Sequence, residues 1–92
     1  MNNLLKPYRE RIDALDDKIV DLLVERIGVI HEVAKLKGAN DIPAVLPDRV
    51  NEVIDRCSDR AGSKKLDADF VRRLYTDIVQ YCCQLESKLM KR

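Results

Sequence analysis

Apolar residues recur at three- and four-residue steps in three segments of the chain, which is the period of one face of an α-helix. The apolar/polar alternation that indicates a β-strand does not persist in any stretch of the sequence. The loop sequence GANDIP and the stretch AGSKK separate the three segments. The pattern therefore predicts an all-α chain of three helices with no strands.

The first predicted helix is long and runs from about Pro7 to Lys37. Pro7 suits a first helical turn, where its missing N–H is not needed, and Gly38 follows the last periodic residue as a helix-ending glycine. At ~1.5 Å per residue this helix would be about 45 Å long. Its apolar positions are Ile12, Leu15, Ile19, Leu22, Leu23, Ile30 and Val33.

The other two predicted helices are shorter. The second starts near Pro47 and shows Val50, Val53, Ile54 and Cys57 on one face. The third follows Asp67, a good N-cap residue because its carboxylate can accept hydrogen bonds from the first free N–H groups. Its apolar stripe comprises Phe70, Leu74, Ile78, Cys82, Leu85 and Leu89.

The length of the first helix predicts a second chain. A helix of about 45 Å is longer than a 92-residue domain is wide, so its apolar stripe would project beyond the two shorter helices. Another copy of the chain would cover it, most simply in a two-fold homodimer. The alternative is a compact monomer in which Gly28, which costs roughly 1 kcal/mol relative to alanine inside a helix, breaks the element.

Composition narrows the possible functions. The net charge is only +1, whereas general nucleic-acid and membrane-surface binders carry a strong basic excess. Apolar runs stay well below the roughly 20 residues needed to span a membrane. The three cysteines, with Cys82 and Cys83 adjacent, and the single His31 fit neither a disulfide framework nor a metal site. A reducing cytoplasm is the simplest compartment to expect.

Two cations lie in the middle of the first apolar stripe. Around the helix, Arg26 and Lys37 fall within about 20° of Ile19. They are eleven residues apart, or about 16 Å along the axis. Arg9 lies on the shoulder of the same stripe, and Arg49 lies beside the apolar face of the second helix.

Cations on apolar faces need a negative partner, because burying a charge alone costs several kcal/mol. One interpretation is an internal salt bridge with Asp16, Asp55 or Glu86, and Lys37 also suits a helix C-terminus. However, four cations then face one well-placed acid, Glu86, which leaves about three positive charges. Arginine forks are suited to carboxylates, so the excess favours binding of a small dianion.

The runs RERIDALDDKIVDLLVER, EVAKLKG, IPAVLPDRVNEVI and LDADFVRRLYTDIV together resemble the all-helical chorismate mutase family. The resemblance spans nearly the whole chain and implies one domain over residues 1–92. Its most specific parts are the R-x-x-I-D-x-L-D-x-x-I-x-x-L-L-x-x-R pattern, the lysine eleven residues later, and the P-x-R that ends at Arg49.

The resemblance implies an intertwined homodimer that converts chorismate to prephenate without metal or cofactor. By position, Arg26, Lys37 and Arg49 would bind the dicarboxylate substrate from one chain, and Arg9 would reach in from the partner. Lys37 would also stabilise negative charge on the breaking ether oxygen.

Four positions depart from the family pattern. Glu86 stands where many members have a glutamine that donates to the ether oxygen, and a carboxyl group donates only when protonated. We therefore predict activity that rises toward mildly acidic pH. Val50 replaces a glutamate that binds the ring hydroxyl, Leu46 stands where an acid is common, and Cys82 stands where a small hydroxyl residue is common.

Two alternative functions remain open at this stage. The run IPAVLPDRV also resembles the P-A-P-E-R-V segment of isochorismate–pyruvate lyase, which yields salicylate and pyruvate from isochorismate. The twelve residues from Lys37 to Arg49 match the mutase loop length better. A helical dimer that binds a metabolite without turnover would carry the same cations.

Overall fold

The computed structural model describes residues 2–91, and within them it contains three α-helices and no strand. They are α1 (Lys6–Ala39), α2 (Pro47–Ser63) and α3 (Ala68–Met90), preceded by a short 3-10 helix (Asn2–Leu4). The predicted all-α, three-helix chain is therefore confirmed. None of the helices in the described residues combines the length and the apolar character that a membrane span requires.

The long helix is continuous, so the alternative in which Gly28 breaks it is wrong. Its end is also two residues later than predicted, and Gly38 lies inside the last turn. Asn40 caps the helix, and Asp41 takes the left-handed conformation (φ 55°) that a glycine often supplies. The amide of Ile42 then donates to the Lys37 carbonyl at 3.0 Å, which satisfies one of the free carbonyl groups of the last turn.

The second and third helices form an antiparallel pair. The turn between them has Lys65 in the left-handed conformation (φ 63°), and the Leu66 amide donates to the Ala61 carbonyl at 2.9 Å. The predicted cap at Asp67 is confirmed, because its carboxylate accepts from the amides of Asp69 (2.9 Å) and Phe70 (3.1 Å). These local contacts fix where α2 ends and α3 begins.

The core lies between α2 and α3, where Val53 and Ile54 pack against Val79. The predicted α3 stripe is only partly correct. Cys82 is buried, but Phe70, Leu74 and Leu89 are 39–46% exposed. The face that packs within the chain is rotated from the predicted one and contains Val71, Val79, Cys82 and Glu86. The physical reason is that α3 is apolar on two faces, and only one of them meets α2 and α1.

The N-terminal part of α1 extends away from the other helices. Every residue from 3 to 25 is exposed, including the apolar side chains Ile12, Leu15, Ile19 and Leu22, each more than half exposed. The chain measures 58 × 27 × 14 Å, and its radius of gyration is 16.9 Å. A compact chain of this length would have a radius of gyration of about 12 Å.

Candidate functional site

One cavity of about 460 Å³ lies where the C-terminal half of α1 meets α2 and α3. Each helix contributes two of the predicted site residues to its lining. These six are Arg26 and Lys37 from α1, Arg49 and Val50 from α2, and Cys82 and Glu86 from α3. The fold thus brings together residues that are up to 60 positions apart in the chain.

Arg26 lies at the cavity without a carboxylate partner in the described part of the chain. Its Nη1 donates to the Cys82 Sγ at 3.1 Å, and Cys82 is almost completely buried. A thiol is a weak acceptor and carries no formal charge when protonated. The positive charge of Arg26 is therefore oriented by this contact without being neutralised.

Lys37 forms an ion pair with Glu86, at 2.8 Å between Nζ and Oε1, and both side chains are largely buried. Its Nζ also donates to the Ala44 carbonyl at 2.9 Å, so it links the α1–α2 loop to α3. The predicted internal salt bridge between Lys37 and Glu86 is therefore present. Apart from this ion pair, Glu86 Oε1 has no polar partner among residues 2–91.

Arg49 lines the cavity from its rim. Its side chain is 60% exposed and forms an ion pair with Glu52, one turn along α2. Asp55, another predicted internal partner, pairs instead with Arg72 at 3.0 Å, an arginine outside the cavity lining. Of the proposed internal acids, Glu86 alone forms an ion pair with a predicted site cation within residues 2–91.

Arg9 lies far from this cavity. It is exposed in the first turns of α1, and seventeen residues separate it from Arg26, which corresponds to about 25 Å along the helix. An arginine side chain cannot bridge that distance. The structure therefore does not bring Arg9 to the cavity of its own chain.

Several lining residues were not identified from the sequence. Arg56 follows Arg49 by seven residues, so the two lie on the same face of α2, two turns apart. That seven-residue spacing from Arg49 could have identified Arg56 as a lining residue from the sequence. The remaining walls are mostly apolar: Val29, Ile30 and Val33 from α1, Ala44 and Leu46 from the loop, Val53 from α2, and Tyr75, Val79 and Cys83 from α3.

The apolar walls affect the chemistry of the cavity. Low-dielectric surroundings strengthen interactions between fixed charges and a bound anion. They also disfavour ionisation of a thiol: burial raises the pKa of Cys83, the nearby Glu86 carboxylate adds to the effect, and Lys37 opposes it. Cys83 therefore stays protonated at neutral pH, which argues against a thiolate nucleophile.

Known proteins are similar to this chain over nearly its full length. Residues 8–87 match the family model described as chorismate mutase type II. The chain is 33% identical over 90 residues to a 4-amino-4-deoxychorismate mutase of Streptomyces venezuelae, covering 98% of this chain and 87% of the relative. A protein of the same name from Streptomyces pristinaespiralis is 27% identical over 84 residues, with 91% of this chain and 65% of the relative covered.

A bifunctional chorismate mutase/prephenate dehydratase of Escherichia coli is 35% identical over 78 residues, covering 85% of this chain but 20% of the relative. The similarity to that protein is therefore confined to about a fifth of its length. The match over residues 8–87 extends from the start of α1 to the end of the cavity lining in α3. The chain belongs to the type II chorismate mutase family.

Proposed function

We propose that this chain catalyses the rearrangement of chorismate to prephenate in the cavity between its three helices. The observation that carries the proposal is the convergence of Arg26, Lys37, Arg49 and Glu86 on one apolar-walled cavity. Family membership supports the reaction class. A cavity of about 460 Å³ is within the size range of small-molecule sites.

The reaction needs positioning and electrostatic stabilisation more than acid–base chemistry. As the enolpyruvyl C–O bond breaks, a C–C bond forms elsewhere in the same molecule, and no proton has to move. Arg26 and Arg49 would contribute to binding the carboxylates, so that the flexible substrate adopts its reactive, compact conformation. Lys37 would stabilise the negative charge that grows on the ether oxygen.

The ion pair with Glu86 gives Lys37 a fixed position before substrate arrives. Its ammonium group is held by Glu86 and by the Ala44 carbonyl, so little reorganisation is needed when charge develops nearby.

Replacement of Glu86 by glutamine is expected to raise kcat/KM at neutral pH. The carboxylate of the ion pair only accepts hydrogen bonds, and it neutralises the charge of Lys37. Glutamine can still accept from Lys37, but it adds an N–H donor and leaves the charge of Lys37 available to the ether oxygen. An unchanged kcat/KM in a variant that keeps the wild-type melting temperature would remove Glu86 from the mechanism.

A second chain is part of the proposal. The exposed apolar stripe of α1 and the exposed α3 residues Phe70, Leu74 and Leu89 form faces that a monomer leaves in water. A homodimer in which the α1 helices pair would cover them. The N-terminal part of α1 would then place Arg9 at the cavity of the partner chain, because Arg9 cannot reach the cavity of its own chain.

A second candidate substrate is 4-amino-4-deoxychorismate. The relative from Streptomyces venezuelae is named for a mutase of that compound and shares 33% identity over almost the whole chain. Val50 lines the cavity and offers no carboxylate with which to select the ring hydroxyl of chorismate. Replacing that hydroxyl by an amine therefore removes no polar contact with this side chain.

Turnover assays test the proposal and separate the candidates. Purified protein is incubated with chorismate or with 4-amino-4-deoxychorismate, and loss of the substrate absorbance is followed. The larger kcat/KM identifies the preferred substrate. Salicylate fluorescence from isochorismate would instead indicate the lyase. A folded protein that binds one of the three compounds but consumes none of them would be a binding protein.

A further inference from the structure

We propose that Arg56 is a substrate-binding residue that engages one of the two carboxylates of the substrate dianion. Arg56 lines the same cavity as Arg26, Lys37 and Arg49. The inference deepens the proposed function and rests on it only for the identity of the ligand. The supporting observation is which of the cations around the cavity form ion pairs and which do not.

Two of the four lining cations already have an internal counter-charge. Lys37 is paired with Glu86, and Arg49 is paired with Glu52. The other two, Arg26 and Arg56, have no carboxylate within salt-bridge distance in residues 2–91. Two unneutralised guanidinium groups match the two carboxylates of a small dianion.

The acid next to Arg56 in sequence does not neutralise it. Asp55 points toward α3 and is bonded to Arg72. Arg56 itself is exposed, and its side chain forms no ion pair and no hydrogen bond within the described residues. Its charge is therefore free for a ligand, and its removal should not destabilise the fold.

The register of the helices places Arg56 at the opposite end of the cavity from Lys37. Because α2 and α3 are antiparallel, with Asp55 beside Arg72 and the Ser58 hydroxyl donating to the Ala68 carbonyl, Arg56 lies near the level of Tyr75. Arg26 contacts Cys82, seven residues further along α3, or about 10 Å. Two extended arginine side chains can close that gap around a dicarboxylate from opposite ends.

The test uses the binding of prephenate, which does not depend on turnover. Arg56→Gln is expected to weaken prephenate binding roughly 10- to 100-fold, as for loss of a charged hydrogen bond. The control is Arg60→Gln, which removes the same charge one turn further along the exposed surface of α2, outside the cavity lining. Calorimetry gives the dissociation constants, and thermal unfolding shows whether both variants keep the wild-type melting temperature.

The outcomes separate this inference from the proposed function. If no mutase substrate is consumed but prephenate binding depends on Arg56 and not on Arg60, the inference stands and the catalytic proposal fails. If turnover is normal and the two variants bind prephenate like the wild type, Arg56 is not a ligand residue. The inference would also be overturned if the wild type bound no prephenate. It would be overturned as well if Arg56→Gln lowered only the stability of the dimer, since Arg56 would then pair with an acid of the second chain.

Discussion

Replacement of Arg26 by glutamine is expected to lower kcat/KM by roughly 10²- to 10³-fold, the cost typical of removing one donor that stabilises the reacting charge. Arg26 is the cation with the clearest unmet charge at the cavity, since its one described side-chain contact is the Cys82 sulfur. Glutamine keeps a polar N–H donor on a shorter side chain but carries no charge. The loss would therefore report on the guanidinium charge and its forked geometry.

Two further variants define what the Arg26 result means. Arg26→Lys keeps the charge but not the planar fork, so it should recover only part of the activity. Arg73→Gln removes an exposed arginine of α3 that does not line the cavity, and it should behave like the wild type. An Arg26→Gln variant with unchanged kcat/KM and an unchanged melting temperature would show that the cavity is not the active site.

The sequence was sufficient for the helices because their limits are set by local chemistry. Pro47 opens α2 and the Asp67 carboxylate caps α3, as predicted. The end of α1 was harder to predict from the sequence. The sequence pattern selects Gly38 as the residue that ends the helix, but the helix continues to Ala39 and Asp41 takes the left-handed conformation. Aspartate tolerates that conformation often enough for a neighbouring glycine to be misleading.

Periodicity identified apolar faces but not what covers them. On α1 it correctly placed Arg26 and Lys37 on the face that turns toward the other helices. On α3 it selected Phe70, Leu74 and Leu89, which remain substantially exposed. A helix wheel ranks positions by apolar character, and it contains no information on which of two apolar faces meets the same chain.

Charge pairing was the least predictable feature of the site. The convergence of Lys37 and Glu86 could be anticipated from helical faces and the family pattern. The pairing of Asp55 with Arg72, and the resulting freedom of Arg56, depends on the antiparallel register of α2 against α3. A shift of that register by one turn would place Asp55 beside a different residue of α3. The ion pairs therefore could not be predicted from the charges along the chain alone.

Mixing two inactive variants, Arg9→Ala and Arg26→Ala, is expected to restore activity if Arg9 acts in the partner's cavity. Each single variant should lose nearly all kcat/KM, because every site in the proposed homodimer would lack one guanidinium group. In a mixed dimer, one cavity receives Arg26 from one chain and Arg9 from the other. With random exchange of subunits at equal concentrations, about a quarter of all sites would be intact.

The same mixture shows whether recovered activity comes from combining Arg9 and Arg26 of different chains or merely from dimer formation. Recovery should appear only after the subunits have exchanged, for example by mild denaturation and refolding together, and each variant treated alone should stay inactive. Because Arg9 lies about 25 Å along α1 from Arg26, a role within its own chain would require α1 to bend back on itself. A refolded mixture that forms dimers of twice the 10.6 kDa chain mass but remains inactive would therefore exclude the arrangement in which Arg9 completes the partner's cavity. An Arg9→Ala variant that is active by itself would remove Arg9 from the site. Recovery toward a quarter of wild-type activity would assign the missing guanidinium to the second chain.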